Sequence, residues 1–311
     1  MSTTHKTLPS PKSPVPSKPW RGRKLKMWRD AFLLIAPFFL LYFLFFLFPT
    51  IRAIQLSFTD APLVGQGNFI GLENYQKLLN SKDFWRALRN TGYFVLLTVV
   101  PNTAVGLIFA LMVVRLNRLR SIVLSAFFLP NMLTVSVVTL IWQWILDSRF
   151  GIVNEIASMI SGQEIHYSIF RDPNWAMVAI AFITIWWTVG FNMLLFIAGL
   201  QGISKEYYEA AQIDGATGSQ IFWRITWPLL WPVTSLVLTL QLIAQFKIFD
   251  QIWLLTRGGP FKRTMPMLQL VYQEAFQEFK GGYASAIAMV LFLIILIASL
   301  VQYRLLRTGS R

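Results

Sequence analysis

Residues able to do chemistry are scarce in this chain, and the scarcity narrows its function. Cysteine is absent, histidine occurs only as His5 and His166, and no G-x-x-x-x-G-K-[ST] phosphate loop is present. Thiolate chemistry is therefore excluded, and the chain has no nucleotide cradle of that kind. What remains falls into two groups. Between residues 204 and 227 small and acidic side chains gather: Glu209, Ala210, Ala211, Asp214, Gly215 and Ala216. Elsewhere polar side chains interrupt apolar runs. Thr234, Gln241 and Gln245 share one helical face at i, i+7 and i+11, and Asn192, Trp186 and Trp187 sit together on another run. Amides hydrogen-bond hydroxyl groups and indoles stack on the apolar face of a sugar ring, so these are candidates for substrate binding. Interhelical hydrogen bonds that hold a bundle together are the alternative for each. Lys247 and Asp250, at i, i+3, resemble an ion pair within a span. At about 1.5 Å per residue from Pro228, Lys247 lies roughly 28 Å along, near an interface, where snorkelling to water competes with a gating role.

The elements that must position these residues follow from hydropathy. Of 311 residues 55% are apolar and 14% charged, too apolar for a soluble domain of this size. A bilayer core needs roughly 20 helical residues. Six stretches qualify, over residues 31–51, 90–114, 121–146, 174–203, 228–250 and 281–303. The Pro and Gly inside them (Pro37, Pro101, Gly106, Pro130, Gly190) are tolerated where neighbouring helices resatisfy the backbone. The expected fold is an all-α membrane protein of six transmembrane helices.

The net charge of +14 does not indicate nucleic acid, because it is not grouped along one face with a recognition motif. Much of it lies in the first 29 residues and beside the spans. The N-terminal segment, Arg115, Arg118 and Arg120, and Arg304, Arg307 and Arg311 share one side if six spans alternate, which places both termini in the cytoplasm. Lys77, Lys82, Arg86, Arg89, Lys262 and Arg263 fall on the outer side, so the vote is a majority only. Residues 1–29, rich in Pro, Ser and Lys, read as a disordered basic tail, and residues 308–311 as a C-terminal tail. Leu72, Tyr75, Leu78 and Leu79, followed by Phe84, Trp85 and Leu88, fit a helix lying at the membrane surface or one packed on the spans.

The 204–227 segment reads as two short helices. Ser204 caps the first, Gly215 ends it, and Thr217 to Gln220 has capping-box spacing for the second. Its Ala and Gly residues leave backbone uncovered, so that another surface can approach closely; an ordinary amphipathic helix pair has the same pattern. Here the chain resembles a family. Glu209-Ala210-Ala211, Asp214-Gly215-Ala216, then Phe222, Ile225, Pro228 and Pro232 match the EAA-loop pattern of permease subunits of binding-protein-dependent ABC importers, more narrowly the MalF-like sugar permeases. Phe69 to Tyr75, Asn90-Thr91, Phe150 to Asn154, Ala198 to Gln201 and Leu255 to Pro260 add further matches, over roughly residues 30 to 307. Trp227 departs from the pattern where Leu commonly precedes the Pro.

The resemblance implies a permease fold of the MetI-like type with a single domain over residues 30–307 in a bacterial inner membrane. It implies that residues 204–227 dock on a separate ATPase subunit, with Glu209 a contact. The partners would be a second homologous permease, two ATPase subunits carrying ATP and Mg, an extracytoplasmic binding protein and membrane lipid, with no cofactor or metal held by this chain. Gly258, Gly259 and Pro260, with Lys247 and Asp250, would lie at the outer mouth. The implied cargo is a sugar, an oligosaccharide or a glycerol phosphate ester. An ion-coupled secondary transporter is the alternative; it calls for midplane carboxylates or paired half-helices, and the central thirds of the spans carry no acid.

Overall fold

The computed structural model describes residues 20–116 and 118–308, which are helical apart from loops and one isolated bridge between Thr59 and Phe69. Residues 1–19, most of the expected tail, lie outside the described residues, as do 309–311 of the C-terminal tail. Helix α1 (Trp20–Tyr42) already begins at Trp20, so residues 20–29 are helical and not disordered, and α14 carries the helix to Thr308. The chain forms two units, one ending at Arg52 and one running from Ala53.

In the first unit α1 passes through a π-helical segment, Phe43–Leu47, into the start of α2 (Phe48–Leu56). Phe38, Tyr42 and Phe46, four residues apart, stack with ring centroids 6.0 and 5.4 Å apart. Every side chain from Phe38 to Thr50 is exposed. A helix apolar all round with nothing buried requires an apolar surrounding, which a bilayer supplies.

The second unit contains α3 (Glu73–Leu79), α4 (Lys82–Val114), α5 (Arg120–Phe128), α6 (Val135–Ile145), α7 (Ile152–Ser161), α8 (Ala176–Gln201), α9 (Lys205–Ile213), α10 (Gly218–Ile221), α11 (Trp227–Phe246), α12 (Asp250–Leu255), α13 (Met267–Tyr272) and α14 (Gly281–Thr308). Five helical stretches over the two units, Asp30–Leu56, Lys82–Val114, Ala176–Gln201, Gly218–Phe246 and Gly281–Leu305, are long and apolar enough to cross a bilayer. Arg120–Met132 and Val135–Ile145 form a pair bent by 101°, which makes a sixth crossing when the two halves are counted as one span. The expected third span is thus not one straight helix. Pro130 lies in a 3-10 turn and Leu133 and Thr134 are extended, so the α-helical ladder stops there. The break is held from outside: Trp187 Nε1 donates to Leu133 O at 3.2 Å, and α8 presses Gly190 against the backbone of Phe127 and Phe128.

Two further boundaries differ. The second span does not start at 90; Ser81 accepts from Phe84 N and starts α4 eight residues earlier, at Lys82. The fifth does not reach 250. It ends at Phe246 with Lys247 as its cap, and Asp250 opens the separate α12, so the two are not neighbours on one helical face. The surface helix is short, and Leu78 and Phe84 are buried against α13 and α14 while Tyr75 donates to Ser57 Oγ at 2.8 Å; packing on the spans takes these residues, leaving Leu72 and Leu79 exposed.

In lipid, helices associate through close packing and hydrogen bonds more than through hydrophobic burial. Around α4 and α8 the contact is close: a Cβ on Gly106 would stand 2.8 Å from Asn192 Cβ. Leu107, Ala110, Val113, Met193, Phe196 and Leu230 fill the end of this contact nearer the elbow, and Phe94, Ile180, Ile183 and Ile252 the opposite end.

Candidate functional site

The elbow over residues 204–227 takes the form its capping residues dictate. Ser204 Oγ accepts from Glu206 N at 3.4 Å and starts α9. Asp214 caps its end, and Gly215 follows at φ +73°, a left-handed conformation that a residue with a Cβ adopts only at a cost of about 1 kcal/mol or more. Ala216 N then bonds back to Ala211 O at 2.9 Å. Thr217 and Gln220 form the reciprocal capping box that starts α10. From Gly218 the helix is continuous through a π-helical segment, Phe222–Thr226, into α11, so α10 and the fifth span are one rod on which α9 is mounted. Tyr208 OH, 3.3 Å from Thr226 Oγ1, braces α9 against it. Ala211 is buried and Ala216 half-buried in the hinge between the two helices. Glu209, Ala210, Asp214 and Gly215 are exposed, together with Tyr207 and Ile213, the latter 86% accessible.

The polar residues of the spans are gathered into a buried ladder joining α4, α8, α11 and α12. Gln241 Nε2 donates to Asn192 Oδ1 at 2.9 Å, and its Oε1 accepts from Gln245 Nε2 at 3.0 Å and Asn102 Nδ2 at 3.2 Å. Asn102 Nδ2 also donates to Thr188 Oγ1 at 2.7 Å, and Thr184 Oγ1 donates to Gln251 Oε1 at 2.7 Å. Gln241 is 5% exposed, and both ends of its amide are used within the chain. Thr234 is buried and bonds only its own helix, at Leu230 O. Trp187 is engaged at the third-span break, and Trp186 packs edge-on against Trp142 with centroids 5.4 Å apart. Asn102, Thr188 and Gln251 were not among the residues the sequence singled out. Asn102 Oδ1, Asn192 Nδ2 and Gln251 Nε2 have no hydrogen-bond partner among the described residues.

At the outer end Lys247 and Asp250 are exposed and make no ion pair with each other. The segment from Arg257 to Met267 is strongly constrained. Gly258 adopts φ +84° and the Gly259–Pro260 peptide is cis. Thr264 Oγ1 donates to Gly259 O at 2.6 Å and lies 2.8 Å from Thr256 Oγ1; Gln269 Nε2 donates to Arg257 O at 2.9 Å. The start of α4 holds this loop from the side: Asn90 Nδ2 donates to Lys262 O and Met265 O at 2.9 and 3.0 Å, Thr91 Oγ1 accepts from Met267 N at 2.9 Å, and Lys262 Nζ pairs with Asp83 at 2.7 Å. The loop between the third and fourth spans is tied by Asn154, which donates to Asp147 O and Tyr167 O, and by Tyr167 OH, which donates to Asp172 Oδ2. That bond pushes the Tyr167 phenol up to about 12 and holds the Asp172 carboxyl below its usual range.

Comparison with known proteins agrees with this architecture. Residues 102–308 match the profile of the family described as binding-protein-dependent transport system inner membrane component. The multiple sugar-binding transport system permease protein MsmF of Streptococcus mutans is 34% identical over 281 residues, 90% of this chain and 95% of that protein. The arabinooligosaccharides transport system permease protein AraP of Bacillus subtilis is 34% identical over 309 residues, 94% of each chain. A chain of a crystal structure of a bacterial alginate ABC transporter, in complex with an alginate pentasaccharide-bound periplasmic protein, superposes with a TM-score of 0.82 at 24% identity, covering 94% of this chain and 98% of that one. The multi-span fold, the elbow and these matches agree: the chain belongs to the family of binding-protein-dependent transport system inner membrane components, as a permease subunit of an ABC importer.

Proposed function

We propose that this permease moves a sugar or oligosaccharide across a bacterial inner membrane, paired with a second homologous permease and driven by two ATPase subunits that hold ATP and Mg. An extracytoplasmic binding protein delivers the cargo. The sugar permeases it resembles over nine-tenths of its length support the cargo class. The observation that carries the mechanism is the elbow. Two capped helices present Glu209, Ala210, Asp214 and Gly215 with the exposed Tyr207 and Ile213, and the second of them continues without a break into the fifth span. A partner that closes on ATP can push this rod and rock the helices it is bonded to, which is alternating access by rigid-body motion.

In this reading the amide ladder couples the rod to its neighbours. Gln241 ties α11 to Asn102 of α4 and Asn192 of α8, so a displacement of the elbow reaches all three spans. The outer loop from Gly258 to Pro260 stands at the mouth. The test is Glu209→Lys in the reconstituted importer. Loss of sugar uptake and of ATPase co-purification, with normal insertion of the permease, is expected. Unaltered ATPase recovery together with full uptake refutes the docking role.

A further inference from the structure

The outer face carries a feature that cargo delivery at the mouth does not by itself explain. A cleft of about 560 Å³ is lined by Trp85, Arg86, Arg89, Phe261 and Arg263. Three guanidinium groups line it and no carboxylate does. Asp83 occupies Arg86 at 3.1 Å and Lys262 at 2.7 Å, but Arg89 and Arg263 have no carboxylate within ion-pair distance among the described residues. These are among the cations that depart from the positive-inside pattern, and the fold brings them together from positions more than 170 residues apart.

The cleft is built, not accidental. The Asn90, Thr91 and Asp83 bonds fasten residues 262–267 to the outer end of α4 and so set Phe261 and Arg263 opposite Trp85 and Arg89. Phe261 and Lys262 are held at φ +53° and +59°, a left-handed backbone that non-glycine residues adopt only under constraint. The result leaves Phe261 82% exposed and Trp85 53% exposed, two aromatic rings projecting beside unpaired arginines. That composition, aromatic and Arg-rich with little Lys, is the composition of protein-binding hot spots.

Height above the membrane separates a protein ligand from a lipid. Counting roughly 20 residues back from Val114 puts the hydrocarbon boundary near Val95; at about 1.5 Å per residue Arg89 then lies roughly 9 Å beyond it and Trp85 roughly 15 Å. The headgroup layer is about 5–7 Å thick. On that count Trp85 stands in water above the headgroups and Arg89 at their outer edge.

We infer that the cleft formed by Trp85, Arg86, Arg89, Phe261 and Arg263 is the electrostatic anchor for an acidic surface of the extracytoplasmic binding protein, with carboxylates entering between Arg89 and Arg263. It rests on the importer reading above and locates that reading's delivery step on this chain. The guanidinium forks favour paired carboxylate oxygens over a single point charge, and because the site is exposed the attraction is screened by salt.

The test uses the whole importer in nanodiscs, titrated with its liganded binding protein and read as stimulated ATPase rate. Replacing both arginines, Arg89→Gln with Arg263→Gln, is expected to raise the half-stimulating concentration about tenfold and to flatten its dependence on salt. The Lys pair, R89K with R263K, keeps charge without the fork and falls between the two. Arg149→Gln, which removes an outer cation away from the cleft, keeps the wild-type titration. A double Gln variant with wild-type half-concentration and salt slope overturns the inference. So does a wild-type salt slope that disappears when anionic lipid is omitted from the nanodisc, which assigns the cations to lipid. A wild-type complex whose ATPase the binding protein leaves unchanged sinks the importer reading itself, and this surface with it.

Discussion

Gly190→Ala tests the break in the third span most directly. A Cβ at this position would stand 2.1 Å from Phe127 O, 2.7 Å from Phe127 C and 2.9 Å from Phe128 Cα. All three obstacles are backbone, so no side chain can rotate away, and α8 or the α5 end must retreat by roughly 1 Å to restore an ordinary contact. Overpacking that forces backbone shifts costs typically 1–3 kcal/mol, and the upper part of that range is expected here. The retreat also pulls on the Trp187 to Leu133 bond, three residues along the same helix. The assay is thermal unfolding of the purified permease complex, alongside Gly92→Ala, where the added methyl meets nothing within 4 Å and a helix-interior glycine is replaced by a better helix former. Gly190→Ala should lower the midpoint and Gly92→Ala should hold or raise it. Equal midpoints for Gly190→Ala and wild type would show that α8 does not abut the broken span, and the account of what holds the break would be wrong.

Gln241→Leu removes three hydrogen bonds; at about 0.6 kcal/mol each within a membrane the cost is roughly 2 kcal/mol, read as a lower unfolding midpoint. Reduced sugar uptake with an unchanged midpoint would instead put this amide on the cargo. Asn90→Ala frees Lys262 O and Met265 O and should speed hydrogen exchange of the Met267 amide, while exchange in α8 stays unchanged; uniform protection across the loop contradicts the clamp. Gly215→Ala strains a left-handed position with open space around it, so insertion should be normal and ATPase coupling impaired, whereas full coupling removes the need for this backbone geometry. The Tyr167 to Asp172 bond needs a neutral phenol and an ionised carboxylate. Because the carboxyl is held low, its contribution is present above an ordinary Asp pKa of about 4 and lost as pH falls below it; because the phenol is raised to about 12, the contribution is lost as pH climbs from about 10. Protease resistance of the 163–172 loop should therefore be flat from about pH 5 to 9, and Tyr167→Phe should lower it throughout; a slope inside that window in the wild type argues for another group.

Local chemistry was the legible part. Ser204, Gly215, Thr217 and Gln220 act within a turn of themselves, so the elbow could be read from spacing, and long apolar runs marked where helices cross. What depends on distant partners could not be read. Pro130 is unremarkable inside a membrane span until Gly190 and Trp187, from another helix, are seen to hold the chain broken there. Gln241 and Asn192 stood out as polar residues in apolar runs, but Asn102, which completes their ladder, did not, because a single Asn beside Pro101 has no periodic partner on its own helix. The fifth span looked longer than it is for a related reason. Ile248 and Phe249 extended the apolar run past Lys247, while Phe249 turns the backbone out of the helix at φ −148°, ψ −60°. The outer clamp joins residues near 90 to residues near 265, a pairing invisible to any window along the chain.

The π-helical segment at Phe222–Thr226 gives the transmission rod one property that a plain α-helix lacks. Each π turn stores one residue more than an α turn, and shedding it would twist everything beyond by about 100° and advance it by about 1.5 Å. The rod thus carries a point at which its register can change by one residue. A shove on the elbow can reach the membrane as a turn of the fifth span about its own axis, carrying the amide face at Gln241 and Gln245 round with it.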